Sequence, residues 1–229
     1  KPVIKWSGSK RSQSEAIKTY LPHAFHTYYE PFLGGGSMLY AIQPQKAVCG
    51  DICAPLIALW NEIKQDPERL AEEYRVRWTR LQQEGYQTYY EIRDQFNKEH
   101  KPEDLLFLSR TCVNGLIRFN ANGDFNNSLH HTRPGIAPER LRKIILDWSA
   151  HIQCADFAAR EYFETTSQAQ KGIKYMLSFD GVRGKDDFTV ELPKELYKRH
   201  ALIPSGNSSF KKVMDKEKMP VLESLYLNW

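Results

Sequence analysis

No stretch of this 229-residue sequence brings together the roughly eighteen apolar residues that a membrane-spanning helix needs. The residues from Lys1 to Lys10 also lack the apolar core of a signal peptide, so a soluble, cytoplasmic protein is expected. Cysteine is scarce. Cys49, Cys53, Cys112 and Cys154 sit among apolar neighbours without the C-x-x-C spacing of a zinc site, which leaves buried reduced thiols as the expectation and gives no reason to invoke a metal. A strong charge imbalance is absent as well, with 32 Lys and Arg against 28 Asp and Glu. A net charge of +4 permits a nucleic-acid partner without requiring one. There is neither an internal repeat nor a low-complexity tract.

What is present reads as α/β. The length suits one α/β domain with an insertion, or two small domains sharing an interface. A helix is expected around Arg11 to Leu21, then a short strand through Tyr28 and Tyr29 and another through Ala47 to Gly50; that order suggests a parallel sheet. Asp66 followed by Pro67 marks a helix start, and Leu70, Tyr74, Trp78 and Leu81 keep helical spacing in a charged stretch running to about His100. Helix continues through Lys101 to Leu116. Asn122-Gly123 between Phe119 and Phe125 then signals a hairpin turn. Strands resume near Ile152, with Ile173 to Phe179, Ala201 to Ile203 and Val221 to Asn228 as further candidates. Lys and Arg recur from Arg110 to Arg142 among Asn, His and Gly, a composition able to follow a phosphate backbone.

Three local motifs carry chemistry. Glu30-Pro31-Phe32-Leu33-Gly34-Gly35-Gly36-Ser37 follows the first strand, and its glycines let the chain turn tightly and approach a ligand. Asp51 ends the next strand, where a carboxylate can accept hydrogen bonds from both ribose hydroxyls of an adenosine cofactor; capping the following helix is the structural alternative. Lys5-Trp6-Ser7-Gly8-Ser9-Lys10 is a basic, aromatic cluster of small residues.

In order and spacing these motifs resemble the K-W-x-G-x-K opening, the E-P-F-x-G-x-G-S loop and the strand-end Asp of the Dam-type (D12 class, alpha group) DNA adenine-N6 methyltransferases. Asn114-Gly115-Leu116-Ile117-Arg118-Phe119-Asn120, with Gly123 and Phe125-Asn126 behind it, matches a fourth pattern of the same enzymes, N-G-L-x-R-x-N-x-x-G-x-F-N. The resemblance runs from Lys5 to Asn228. It implies a Rossmann-like S-adenosylmethionine-dependent methyltransferase sheet with a mostly helical DNA-recognition insertion. Residues 1–65 and 143–229 would form the catalytic and cofactor domain, and 66–142 the target-recognition domain. The resemblance further implies that S-adenosyl-L-methionine is held by Trp6, Lys10, Phe32, Gly34, Gly36, Ser37, Asp51 and Ile52. Asp156 and Phe157 would contact its adenine ring, although an Asp there also suits a helix cap. For double-stranded DNA with a flipped adenine it points to Lys5, Asn114, Leu116, Arg118 and Arg133, with Asn120 and Asn126 shaping the hairpin. An Arg fork can take two acceptors on a guanine edge and Asn can pair with adenine, while a structural Arg in a helix-to-hairpin corner is the competing reading. A bacterial or phage-encoded monomer or weak dimer is implied, in a restriction-modification, phage or housekeeping context.

The chain departs from the family in three places. Val113 stands where several relatives have an aromatic wedge, and Ser128 to Gly135 replaces the usual P-F-G-R segment, so the recognition sequence does not follow from the resemblance. The third departure concerns catalysis. The family receives its flipped adenine with D-P-P-Y or a close variant, between the Asp156-like motif and a strand like that from Ile173, and no such tetrapeptide occurs here. The break is expected between Phe157 and Glu164, with Arg160 to Phe163 the favoured place, because Glu164 to Lys171 reads as a helix end stopped by Gly172. Two rivals therefore stand beside the methyltransferase: a catalytically silent cofactor- and DNA-binding relative, and an NAD-binding oxidoreductase. The oxidoreductase explains the Gly loop but neither the Lys5 to Lys10 motif nor the Asn114 to Asn126 block.

Overall fold

The apolar run at Ala47–Asp51 (β2) forms the middle strand of a parallel sheet in the computed structural model, between Tyr28–Glu30 (β1) and Ala155–Ala159 (β3). The structure describes residues 1–130, 132, 135–162, 164, 172–207 and 220–229. The chain divides into two units, Lys1–Ser9 with His26–Gln168 and Lys10–Phe25 with Ala169–Trp229.

In the first unit, helices Ser37–Ile42 (α2), Ala54–Gln65 (α3), Pro67–Glu84 (α4), Gln87–Glu99 (α5), Pro102–Thr111 (α6) and Pro138–His151 (α7) share one core with the sheet. Pro at the first turn suits four of them, since no amide donor is lost there. Asp66 caps α4 as its sequence context predicts, its Oδ1 accepting from the Arg69 amide at 3.1 Å. Leu70, Tyr74 and Leu81 are buried and Trp78 packs beside them. Each fully buried aliphatic side chain of this kind contributes about 1.5–3 kcal/mol. The helical stretch expected from Asp66 to about His100 forms two helices, because Gly85, at φ +86°, stops α4 and its amide bonds back to Leu81. The region around Ile152 is the C-terminal cap of α7 rather than a strand, and strand structure begins only at Ala155.

The second unit begins with a 3₁₀ turn at Lys10–Ser12 and helix Ser14–Lys18 (α1), a shorter helix than the expected Arg11 to Leu21. Its sheet is antiparallel. Met176–Arg183 (β4) lies between Asp186–Asp187 (β5) and Pro220–Leu227 (β7), and Arg199–Asn207 (β6) forms the far edge. Gly181 sits at a register shift in β4, where a Cβ would lie 2.5 Å from the Leu222 carbonyl oxygen.

The described strands thus form a three-stranded parallel sheet and a separate four-stranded sheet, not one continuous sheet. Among the described residues β1 has a strand partner on one side only. The helix end read over Glu164 to Lys171 lies, apart from Glu164, outside the described residues. No described helix is long and apolar enough to cross a membrane.

Candidate functional site

The Gly loop is fixed by three neighbours that are distant in sequence. Leu33 donates its amide to the Gly50 carbonyl at 2.9 Å, which lays the loop across the end of β2. Gly34 donates its amide to Asp51 Oδ2 at 3.0 Å, and its carbonyl accepts from Trp60 Nε1 at 3.0 Å. Gly34 is left-handed at φ +47°, and a Cβ there would stand 2.7 Å from Trp6 Cδ1. Glycine is therefore required twice at this position, by backbone conformation and by the Trp6 ring. Ser37, at the start of α2, meets Ser9 through a 2.6 Å hydroxyl contact that ties the Trp6 segment to the loop.

Asp51 joins the two features singled out in the sequence. One carboxylate oxygen holds Gly34, and the other accepts from the Cys53 amide at 3.0 Å, just before α3. Cys53 is the N-cap residue of α3, so Asp51 bonds ahead of the helix without capping its first turn, and its structural role is to hold the loop. Each carboxylate oxygen has capacity for more than one donor, so both can still accept from a ligand hydroxyl. Ile52, next to this carboxylate in sequence, and Phe32, next to the Leu33 that bonds to Gly50, are 73% and 71% exposed, which is unusual for such large apolar side chains.

Glu30 lies behind the loop, its Oε2 accepting from the Leu39 amide at 3.2 Å. Burial pushes its carboxyl up to about 8 against hydrogen bonds from Tyr28 and Leu39 that pull it down. Burial likewise raises Cys49, the adjacent thiol on β2, with the Glu30 charge adding to the effect.

The remaining predicted cofactor residues separate. Asp156 is exposed on β3 and pairs with Arg160 Nη2 at 3.4 Å, so it caps no helix. Phe157 points the other way, buried in the core with its ring 6.1 Å from that of Trp60. Lys10 belongs to the second unit, where its Nζ lies 2.6 Å from Glu223 Oε2; Ser178 Oγ donates to the same oxygen at 3.3 Å.

The described nucleic-acid candidates lie in the first unit, on the segment from Asn114 to Asn126 and at Lys5. Asn114 and Gly115 are both left-handed, at φ +57° and +65°, and a Cβ on Gly115 would overlap the Lys5 side chain. That close approach sets Lys5 beside the Asn114 turn. Leu116 is exposed, and Arg118 Nε donates to Asn126 Oδ1 at 2.9 Å while the Asn126 amide returns to the Arg118 carbonyl at 3.1 Å. Asn120 Oδ1 accepts the amides of Asn122 and Asp124, both at 2.9 Å, and the Gly123 amide bonds to the Asn120 carbonyl. The turn is a three-residue hairpin with Gly123 at φ +84°, not the two-residue form that Asn-Gly alone suggests. Arg133 lies outside the described residues.

Several supports carried no motif. Asn127 Nδ2 donates to the carbonyls of Val113 and Leu116, at 3.0 and 2.8 Å, and Asn97 brackets Phe125 through its amide and carbonyl. Nothing in their neighbours, Phe96 and Lys98 around Asn97 and Asn126 and Ser128 around Asn127, signals such work. Both ends of the basic stretch face inward or pair locally: Arg110 is largely buried, donates to the Pro2 carbonyl and is lowered to about 10 by burial, and Arg142 pairs with Glu68. On α4, Arg69, Arg75, Arg77 and Arg80 all pair with nearby carboxylates, which lessens that helix's attraction for phosphate.

Comparison with known proteins covers both regions. The profile of the D12 class N6 adenine-specific DNA methyltransferases matches residues 6–180. The chain is 28% identical over 260 residues to the type II methyltransferase M1.LlaDCHI of Lactococcus lactis subsp. cremoris, a match covering 99% of this chain and 84% of the relative. It is 30% identical over 243 residues to the type II methyltransferase M.MjaIII of Methanocaldococcus jannaschii, covering 91% and 84%. A DNA adenine methylase of Vibrio cholerae is 30% identical over 171 residues, covering 73% of this chain and 60% of the relative. The first of these matches extends over 260 positions, more than the 229 residues of this chain, so that relative has residues where this chain has none.

Proposed function

This chain belongs to the D12 class of N6 adenine-specific DNA methyltransferases, and from that premise we propose that it serves methyl transfer from S-adenosylmethionine to the N6 amine of adenine in a specific duplex DNA site. The observation that carries the proposal is the family match over residues 6–180, which takes in the loop held by Asp51 and the Asn114 to Asn126 surface. S-adenosylmethionine supplies an activated methyl group when bound. Trp6, the Phe32 to Gly36 loop, Ser37, Asp51 and Ile52 suit it: left-handed Gly34 and Gly36 let the loop turn tightly against Trp6 and Trp60, Asp51 offers acceptors for ribose hydroxyls, and Phe32 and Ile52 offer exposed apolar faces. Asp156, exposed on β3, completes the proposed set, while Phe157 supports that strand from the core side against Trp60. In the proposed fold the sheet is Rossmann-like, residues 1–65 and 143–229 hold the cofactor, and residues 66–142 recognise the target.

On the DNA side, Arg118 is proposed to read a base edge and Lys5 a phosphate, with Asn114 and Leu116 at the flipped adenine's neighbours and Asn120 and Asn126 holding the hairpin. Arg133 is proposed as a further phosphate contact. Cofactor and DNA would meet in a monomer or weak dimer.

One specific observation favours a second reading, a cofactor- and DNA-binding protein that transfers nothing. The sequence contains no Asp-Pro-Pro or Asn-Pro-Pro element, and hence no group of the expected kind to accept hydrogen bonds from the adenine amine and orient its lone pair. Incorporation of tritiated methyl into mixed-sequence duplex DNA separates the two. The 229-residue chain and a version with a relative's D-P-P-Y segment inserted between Phe157 and Glu164 are measured side by side. Incorporation only by the restored version is expected; failure of the restored version on every adenine-containing duplex, although it binds S-adenosylhomocysteine, counts against the methyltransferase reading.

A further inference from the structure

We infer that Tyr162, stacked on Phe32 beside Asp51, is an adenine-stacking residue of this chain. The two rings lie 5.7 Å apart at 22°, an offset stack. Phe32 is 71% exposed and Tyr162 54%, so each still presents ring surface to water. Backbone bonds bring them together from separate parts of the sequence. Leu33, the neighbour of Phe32, bonds to Gly50, while Arg160, two residues before Tyr162, donates its amide to the Asp51 carbonyl at 3.2 Å. Ile52, 73% exposed, follows Asp51 directly.

Tyr162 is held where it is. On one side the Arg160 side chain, 11% exposed, pairs with Asp156 at 3.4 Å. On the other, the Glu161 amide donates to Glu164 Oε2 and the Glu164 amide to the Glu161 carbonyl, both at 3.1 Å, a reciprocal closure of the turn. A fixed pair of exposed rings, on segments that both bond to the strand end carrying Asp51 and exposed Ile52, suits a flat, largely apolar ring bearing N–H or O–H donors. A purine nucleoside has that chemistry, and a base stacks on an aromatic face whatever its sequence context. The 5.7 Å separation leaves no room for a third ring between the two, so the purine takes an outer face.

The inference rests on the methyltransferase reading, which brings two adenines to the chain: that of the cofactor and that of the DNA. Two probes distinguish them. Calorimetry with S-adenosylhomocysteine reads the first, and fluorescence of a duplex bearing 2-aminopurine opposite an abasic site reads the second, because a stacked 2-aminopurine is quenched. Tyr162→Ala is expected to weaken one of the two interactions roughly 5- to 100-fold, the usual range for losing one stacked aromatic, and Tyr162→Phe to retain it. Loss confined to S-adenosylhomocysteine assigns the cofactor's adenine; loss confined to 2-aminopurine quenching assigns the DNA base. A Tyr162→Ala protein with an unchanged melting curve that behaves as wild type with both probes overturns the inference and leaves the function reading standing. Wild-type protein that engages neither probe refutes the function reading and this inference with it.

Discussion

Replacing Gly34 by alanine strikes the Gly loop at its tightest point. The residue is left-handed at φ +47°, and the added Cβ would lie 2.7 Å from Trp6 Cδ1 and 2.9 Å from its Nε1. The backbone term alone is about 1–2 kcal/mol for a residue with a Cβ in that conformation. Forcing the indole aside adds roughly 1–3 kcal/mol, the usual effect of overpacking. Gly8 isolates the two contributions, since it too is left-handed, at φ +75°, yet a Cβ there meets nothing within 4 Å. Urea unfolding followed by tryptophan fluorescence should place Gly34→Ala below Gly8→Ala by about the overpacking term. The shift of Trp6 should also disturb the loop, so affinity for S-adenosylhomocysteine falls in Gly34→Ala and holds in Gly8→Ala. Equal stability of the two variants would refute the claim that Trp6 dictates glycine at position 34.

Asp51→Ala removes the acceptor of the Gly34 and Cys53 amides, so it should lower stability by about 1–3 kcal/mol and weaken S-adenosylhomocysteine binding in calorimetry; unchanged affinity would confine Asp51 to a structural role. Arg118→Ala should reduce discrimination between the preferred duplex and one with a single altered base pair by roughly 1–3 kcal/mol, whereas Lys5→Ala should weaken all duplexes alike and flatten the salt dependence of binding. Equal loss on every sequence for Arg118→Ala would move Arg118 to the phosphate backbone. Glu30 predicts a pH effect. With its carboxyl near 8 in the folded chain and an ordinary value of 4.5, the folded state holds a proton that the unfolded state has released. Stability should therefore fall as pH rises through this window, by at most about 1.4 kcal/mol per unit from this one group. Glu30→Gln should flatten that slope in thermal melts taken from pH 5 to 8; an unchanged slope would mean that Glu30 titrates normally.

The parts of this molecule legible in its sequence are those fixed by near neighbours. Asp66 before Pro67 and the spacing of Leu70, Tyr74 and Leu81 announced α4, and the Gly loop after an apolar strand lies where it was expected. The break at Gly85 was hidden because aromatic and charged residues with helical character continue beyond it into α5. β5 is not legible because Asp186-Asp187 has no apolar alternation; its position follows from pairing with Val182 and Arg183. Long-range contacts were illegible for a different reason. Asn97 holding Phe125, Trp60 holding Gly34 and Tyr162 meeting Phe32 each join residues more than twenty positions apart, and no local period encodes such partners. Orientation is likewise hidden: the family resemblance gives the adjacent Asp156 and Phe157 one role, but strand alternation sends one outward and the other into the core.

The methylated nucleoside itself gives the most direct test. The restored chain is incubated with S-adenosylmethionine and duplex DNA, the DNA is digested to nucleosides, and the products are identified by mass spectrometry. The family membership and the arrangement around Asp51 and Arg118 predict N6-methyl-2′-deoxyadenosine as the sole methylated product, with its yield lowered by Asp51→Ala. Methyl found on cytosine, or on no base although the cofactor product binds, would contradict the account.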